Sequence, residues 1–428
     1  DYPSLRLASP AQLSNHASVD LYVEQVLRHA RVILISVHGG VSYWRYGVER
    51  LVELAEGVNL DLRTQMGLDS TKVLRLQSQD ITLQDDSTIQ TRGGRVILSG
   101  LGSLTSTISL FSGTPIATQQ EIINPQSFNY LGGSFGGTVT MKDGARIITR
   151  PVAAGQDATT ATTLQGKAGD VILRGEHIDL QAGSGIYAHG DGVRQGGTVE
   201  LSTYAAANHY LVVSNAGSSL TLGGTVRAGT INATSMAYAA AAGTEEKFAM
   251  QALAFLGGIS AGVEIAKANA TTTVKSTAVL QADGDINLNA QTTTSAINKI
   301  KAINAGTAQS AVTLSAAYAE TGGEAKTVIE GGSITAGGAL NVLALNNATA
   351  RSKVSSISLA GAPMNAVFSM VKTDNKATAD VQAGTIQASK VDIQAIQVGD
   401  TFTALRGKIG RSMSPQTSRT KFATCRPS

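Results

Sequence analysis

The sequence predicts a mainly β fold: a right-handed parallel β-helix, or solenoid, preceded by a short N-terminal α/β fragment. Three observations carry that prediction. From Lys72 onward short runs alternate aliphatic and polar residues, glycine pairs stand ahead of many of those runs, and a block of about 50 residues recurs. The residues before Gly57 obey a different pattern. The organisation therefore reads as an α/β fragment over 1–57, a β-helix repeat region over 58–400 and a basic tail over 401–428.

In the first piece, Val19, Tyr22, Val23, Val26, Leu27 and Ala30 share one helical face. Ser18 is the expected N-cap, and Asp20 lies in the first turn, where the helix dipole favours an anion. Val32-Ile33-Leu34-Ile35-Ser36-Val37 is a β-branched run of the kind buried on both faces of a parallel sheet, and His38-Gly39-Gly40 follows it. A second helix is expected over 46–56, with Val48, Leu51, Val52 and Ala55 inward and Gly57 as the left-handed residue that ends it.

Residues 3–55, above all SVDLYVE and the glycine pair followed by SYWRYGVE, resemble the amino-terminal region of the large subunit of cobaltochelatase. Members of that CobN family insert a metal ion into a corrin-type ring at the expense of ATP. The resemblance implies a tetrapyrrole pocket lined by His38, Tyr43, Trp44 and Arg45 in an intact subunit, since ligands of open α/β sheets sit beyond the carboxyl ends of the strands. The favoured plain reading packs Trp44 and Tyr46 between helix and sheet and leaves His38 in solvent. The family's subunit is far longer than this chain, and nothing after residue 57 looks like its continuation. A cobaltochelatase fragment without its catalytic parts therefore stands as the alternative function.

The repeat region opens with VLRLQ at 73–77, DITLQ at 80–84 and RVILS at 95–99, each a period-two strand. Gly93-Gly94, Gly136-Gly137 and Gly196-Gly197 precede strands, where glycine is expected to supply positive φ angles. GDINLNAQ at 284–291, GALNVLAL at 338–345 and SKVDIQAI at 389–396 align at offsets of 54 and 51 residues. So many short strands in each repeat read as about two solenoid turns. At about 4.8 Å per turn, that gives roughly 14 to 17 coils of 20 to 25 residues and a rod of about 65 to 80 Å. Inward ladders of Val, Ile, Leu and Ala explain why aromatic residues are only 4% of the chain. The alanine-rich stretch 236–256 is a candidate short helix through Glu245, Phe248, Met250 and Leu253. Its place in the repeat nevertheless favours extended structure for much of it, as it does for 296–310.

Strings such as GKAGDVILRGEHIDLQAGSGIYAHGDGVRQGGTVELS at 166–202 and STAVLQADGDINLNAQ at 276–291 resemble the filamentous haemagglutinin-like family of bacterial exoproteins. The resemblance of 70–400 implies a segment of a large surface adhesin, structural rather than enzymatic. It places the chain outside the cell or on the bacterial outer-membrane surface. The partners it implies are host-cell or matrix glycans or proteins, together with further β-helix repeats of a longer parent chain.

Chemistry-bearing motifs are missing from the sequence. There is no GxxxxGK[ST] loop, no HExxH and a single cysteine, Cys425; the histidines stand at 16, 29, 38, 177, 189 and 209, none at i and i+4. Asp170, Asp179, Asp191, Asp283 and Asp285 read as turn aspartates rather than a calcium roll. Beside Glu176, only His177 and Asp179 share a strand face. No catalytic residue, metal ligand or cofactor is therefore expected, and a scattered net charge of +3 argues against a nucleic-acid partner. The chain begins at Asp1 with no signal-peptide pattern, so it reads as a processed piece or a fragment. Residues 401–428 carry basic but no acidic residues and no recurring strand, the pattern of a disordered tail.

Overall fold

The computed structural model describes residues 8, 13, 15–27, 46–47, 50, 65–66, 73–78, 80–100, 136–207, 213–242, 249–250, 258–304, 310–358, 362–409 and 412–422. They divide into two compact units, 1–62 and 63–428.

In the first unit, helix α1 spans His16–Gln25. Asn15 rather than Ser18 is its N-cap, and the Asn15 side chain accepts from the Ser18 backbone N–H at 2.8 Å. The helix thus starts earlier than the apolar spacing implies, because a cap is chosen by which side chain reaches a free N–H, not by where burial begins. Val19 and Val23 are its buried residues, one turn apart. Tyr46, Gly47 and Arg50 are helical, within the expected second helix. The expected strand at 32–37 and the residues His38, Tyr43, Trp44 and Arg45 lie outside the described residues.

The second unit is a β-helix solenoid of three parallel sheets, which the chain visits in a fixed order. A short strand in sheet A is followed by one in sheet B and one in sheet C, and the cycle repeats. One full circuit is Val279–Ala282, Ile286–Asn304 and Ser310–Ile329; the next is Ser333–Ala336, Ala339–Ser358 and Ala362–Val381. Among the described residues sheet A has eight strands, one for each circuit. The 54-residue repeat is therefore one turn, not two, as the pairing of Asn287 with Asn341 shows. Eight turns at about 4.8 Å stack to about 38 Å, half the expected rod. The miscount has a physical cause. Strands in sheets B and C grow to 20 residues, and such a strand interrupted by threonines and alanines looks like two short ones.

Each sheet contributes an inward ladder. Sheet C stacks Leu83, Met141, Leu180, Leu222, Val274 and Ile329 in register. Sheet A stacks Ile89, Ile147, Ile186, Val226, Leu280 and Ile334. Sheet B stacks Val96, Val171, Val199, Ile231, Ile286 and Leu340. These side chains form one continuous core, each contributing about 1.5–3 kcal/mol by leaving water.

Beyond that triangular core, sheets B and C run on as a two-layered fin. Sheet B strands lengthen along the stack from 5 residues at Val171–Gly175 to 10, 13, 19 and finally 20. The fin's interior is alanine: Ala205, Ala237, Ala239, Ala241, Ala290, Ala296 and Ala344 face Ala266, Ala268, Ala270, Ala319 and Ala325. Methyl groups let two sheets approach where isoleucine would hold them apart. Residues 236–242 and 296–304 are thus strand, and only Ala249–Met250 of the rest of the candidate helix is described, also as strand.

Gly93 and Gly136 take the expected positive φ, at 89° and 66°. Gly197 does not; a Cβ there would stand 2.1 Å from the Gly169 carbonyl oxygen, so it is needed for close approach between coils. After residue 400 the chain does not lose strand structure: Lys390–Ile409 continues through it, and Ser412–Phe422 folds back antiparallel on that strand. The doubled-back strand covers the last edge of sheet B, which would otherwise present unpaired N–H and C=O groups.

Candidate functional site

Two groups of polar side chains stand out among the described residues, one in each unit. In the first unit the carboxylate of Asp20, on α1, is a hub. Tyr46 donates its hydroxyl to Asp20 at 2.9 and 2.8 Å to the two oxygens, and Arg50 Nε donates at 2.8 Å. The Tyr46 ring stacks on the exposed His16 imidazole with centroids 3.8 Å apart. The sequence placed Asp20 as a dipole partner only. Its actual work is to tie α1 to a second helical segment 26 and 30 residues later.

In the second unit the gathering point is Arg150, at 1% exposure among the largest buried side chains. It follows the sheet A strand Arg146–Ile148 and begins a crossing to the sheet B strand Val171–Gly175. Its guanidinium donates to the carbonyls of Ala158 and Ala161 at 2.6 Å each and of His189 at 3.1 Å. Ile148, Val152, Ala158, Leu164 and Ala168 form a small core around the same crossing. Burial lowers the pKa of Arg150, partly offset by Asp191 and Asp283. An arginine stays charged through such a shift.

Asp191 turns the neighbouring loop. Its carboxylate accepts from the backbone N–H of Arg194 at 2.5 Å, Leu164 at 2.8 Å and Val193 at 3.0 Å, and these bonds hold its pKa far below the usual range. His189 goes the other way from an ordinary imidazole. Burial first, then Arg150 and Arg227, push its pKa down to about 4, so it is neutral at pH 7, and its Nδ1 is buried without a hydrogen-bond partner. The assembly pins a loop. It sets no nucleophile beside a base.

The residues weighed from the sequence are dispersed as structural fasteners. Asp170 accepts from the Thr198 N–H at 3.0 Å and pairs with Arg95 at 2.9 Å. Asp285 accepts from the Ala339 N–H at 2.7 Å, and Asp283 from the Gly190 N–H at 2.9 Å. His177 contacts the Ser219 hydroxyl at 2.9 Å, and Asp179 accepts from Gln181 at 3.5 Å, so the two do not meet. No group of three or more His, Cys, Asp or Glu side chains among the described residues could hold a metal ion. No helix among them is long and apolar enough to cross a membrane. Arg150 had no place in the sequence reading, and His189 figured there only as one of six histidines without metal-ligand spacing. The one available signal was a basic residue two positions after the end of an apolar strand, in Arg146-Ile147-Ile148-Thr149-Arg150.

A 56-residue segment is 82% identical to the aerobic cobaltochelatase subunit CobN of Pseudomonas aeruginosa, which is 13% of this chain and 4% of that relative. A 48-residue segment is 50% identical to the aerobic cobaltochelatase subunit CobN of a Sinorhizobium species, 11% of this chain and 4% of that relative. The chain thus spans a small fraction of the curated relatives it matches. No protein-family profile matches it, and no solved structure does.

These matches correct the reading of 70–400 as a surface adhesin, and with it the expected extracellular or outer-membrane location. The curated relatives are chelatase subunits, and no match carries the haemagglutinin-like resemblance. The physical reason is that period-two strands punctuated by glycine are what any parallel solenoid requires. Such strings report a fold and not a role.

Proposed function

We propose that this chain carries a cobaltochelatase-type segment, its N-terminal unit, on a solenoid that performs no chemistry of its own. The observation that carries the reading is the 82% identity over 56 residues to a cobaltochelatase subunit. Identity at that level retains surface residues as well as core residues, and surface is where recognition resides. In this reading the segment contributes to holding a corrin-type tetrapyrrole, and His38, Tyr43, Trp44 and Arg45 are its candidate contacts. The Asp20 hub then serves to fix the helix beside them in sequence. Metal insertion requires the far larger remainder of such a subunit, so the chain alone is not a chelatase.

Trp44 is the one tryptophan of the chain, which makes its fluorescence a reporter of this unit. Titration of the full chain with a corrin-type tetrapyrrole is expected to give saturable quenching of that emission, with no cobalt inserted. Unchanged emission, or quenching equal to that of free tryptophan, refutes the tetrapyrrole role; cobalt insertion by the chain alone refutes the inert-carrier half.

A further inference from the structure

In the fin, sheet B turns a basic face to solvent. Asn298, Ile300, Ser352 and Val354 are buried inside the fin, so the alternate residues Lys299, Lys301, Arg351 and Lys353 stand on its outer face, all exposed. Backbone pairing carries the same face on to Phe402, beside Arg351, and to the register positions of Arg406 and Lys408, beside Ser355 and Ile357. Over 295–304, 349–358 and 400–409 the one acidic residue is Asp400, in a chain whose 34 basic and 31 acidic residues otherwise nearly balance. These cations are scattered along the sequence and gathered by the fold, because neighbours in the sheet are one coil apart.

Lys299 and Lys353 are side by side in register, their backbones about 4.8 Å apart along the stack. Neither has a hydrogen-bond or ion-pair partner among the described residues. Like charges directly across two strands cost stability, and a solenoid has no structural use for such a pair. A bound anion removes that cost. Arg351 differs, since it donates to the Asp400 carboxylate at 2.7 Å and is neutralised there. Phe402, half-buried on the same face, lies one strand and two residues from Lys353, about 8 Å by strand spacing and rise.

We propose that this face binds single-stranded nucleic acid without regard to sequence, with phosphates on Lys299 and Lys353 and a base stacked on Phe402. Adjacent unpaired lysines match a backbone of closely spaced negative charges. An aromatic ring beside a basic track offers a platform to any base, and the distance from Lys353 to Phe402 is within the reach of one nucleotide. A flat sheet presents no helix or ribbon to enter the groove of a duplex, which selects the single strand.

The test is fluorescence anisotropy of a labelled oligothymidylate of about 15 nucleotides titrated with the full chain over a range of salt. Saturable binding is expected at low salt. Replacing both lysines, Lys299→Ala with Lys353→Ala, should weaken it about tenfold or more and flatten the log affinity against log salt slope by about 1.4, since each phosphate contact on a single strand contributes about 0.7. Lys326→Glu, on exposed sheet C surface, changes the net charge by the same amount and should leave binding as in the parent. Phe402→Ala should weaken the oligothymidylate about fivefold or more and leave an abasic oligonucleotide unaffected. The β circular dichroism of each variant should match the parent. Absence of saturable binding, full binding by the double variant, or an equal loss in Lys326→Glu overturns the proposal, and equal effects of Phe402→Ala on both oligonucleotides overturn the stacking. Tighter binding of a duplex, of polyglutamate or of phosphatidylserine vesicles overturns it too and assigns the face to that partner.

Discussion

Asn341 donates a side-chain N–H to Oδ1 of Asn287 at 2.7 Å across 54 residues of sequence, and Asn287 donates in the same way to Asn232 at 2.8 Å across 55. One turn of the solenoid separates each pair, and the amides form a ladder along the outer face of sheet B. Asn287 is the central rung, acceptor from one coil and donor to the other. Asn287→Ala removes both bonds from a half-buried site, and a loss of about 1–2 kcal/mol is expected. The urea midpoint should fall with an unchanged slope, and a midpoint equal to wild type contradicts the ladder's role.

Gly323 adopts φ +122°, and a Cβ there would lie 2.0 Å from the Ala268 carbonyl oxygen in the neighbouring coil. Gly155 also has positive φ, +82°, but nothing stands within 4 Å of its would-be Cβ. Gly155→Ala should therefore cost only the backbone strain, about 1 kcal/mol, whereas Gly323→Ala should cost about 3 kcal/mol or more. Thermal unfolding of the two variants side by side measures the difference, and equal shifts contradict the close approach.

Arg150→Met keeps an unbranched, largely apolar side chain of related length but leaves the carbonyls of Ala158, Ala161 and His189 without their donor. A loss of about 2–4 kcal/mol is expected, concentrated in the 151–170 crossing. Limited proteolysis should open new cleavage sites there. Cleavage no faster than in the parent protein would show that the loop's small core suffices.

The half-buried His189 makes stability depend on acidity. Its pKa is about 4 in the folded chain against 6.5 for an unhindered imidazole, so between those values the unfolded chain binds more protons. Its contribution is intact above about pH 6.5, declines as pH falls and levels off below about pH 4. Because the side chain is only partly buried, the swing is about 1–2 kcal/mol rather than the full shift. His189→Gln should flatten the acid limb of the stability profile, and an unchanged limb contradicts the assignment.

Asp20→Asn leaves the Tyr46 and Arg50 donors facing an amide in place of a carboxylate. About 1 kcal/mol of the first unit's stability should be lost. Trp44 emission reports it, two positions before Tyr46, and an unchanged denaturant midpoint for that signal dismisses the hub.

The short strands of the triangular core were legible because their signals are local. Ile81 and Leu83, or Ile178 and Leu180, alternate with polar neighbours, and that period alone places them on one face. The repeat itself was legible in the recurrence of Ile286, Leu340 and Val391. The candidate sites were not. Arg150 is separated by 39 residues from His189, whose carbonyl it meets, and Asp283 by 93 from the Gly190 N–H it holds. No spacing within a strand encodes such a meeting.

The sequence by itself determined the β class, the inward ladders and the break in pattern after the cobaltochelatase-like segment, since each depends on residues a few positions apart. Only the tertiary structure decided that one repeat makes one turn, that alanine faces close two sheets into a fin, and which carboxylates fasten which loops. Those outcomes depend on which strand lies above which, and in a stacked solenoid that neighbour is a full coil away along the chain.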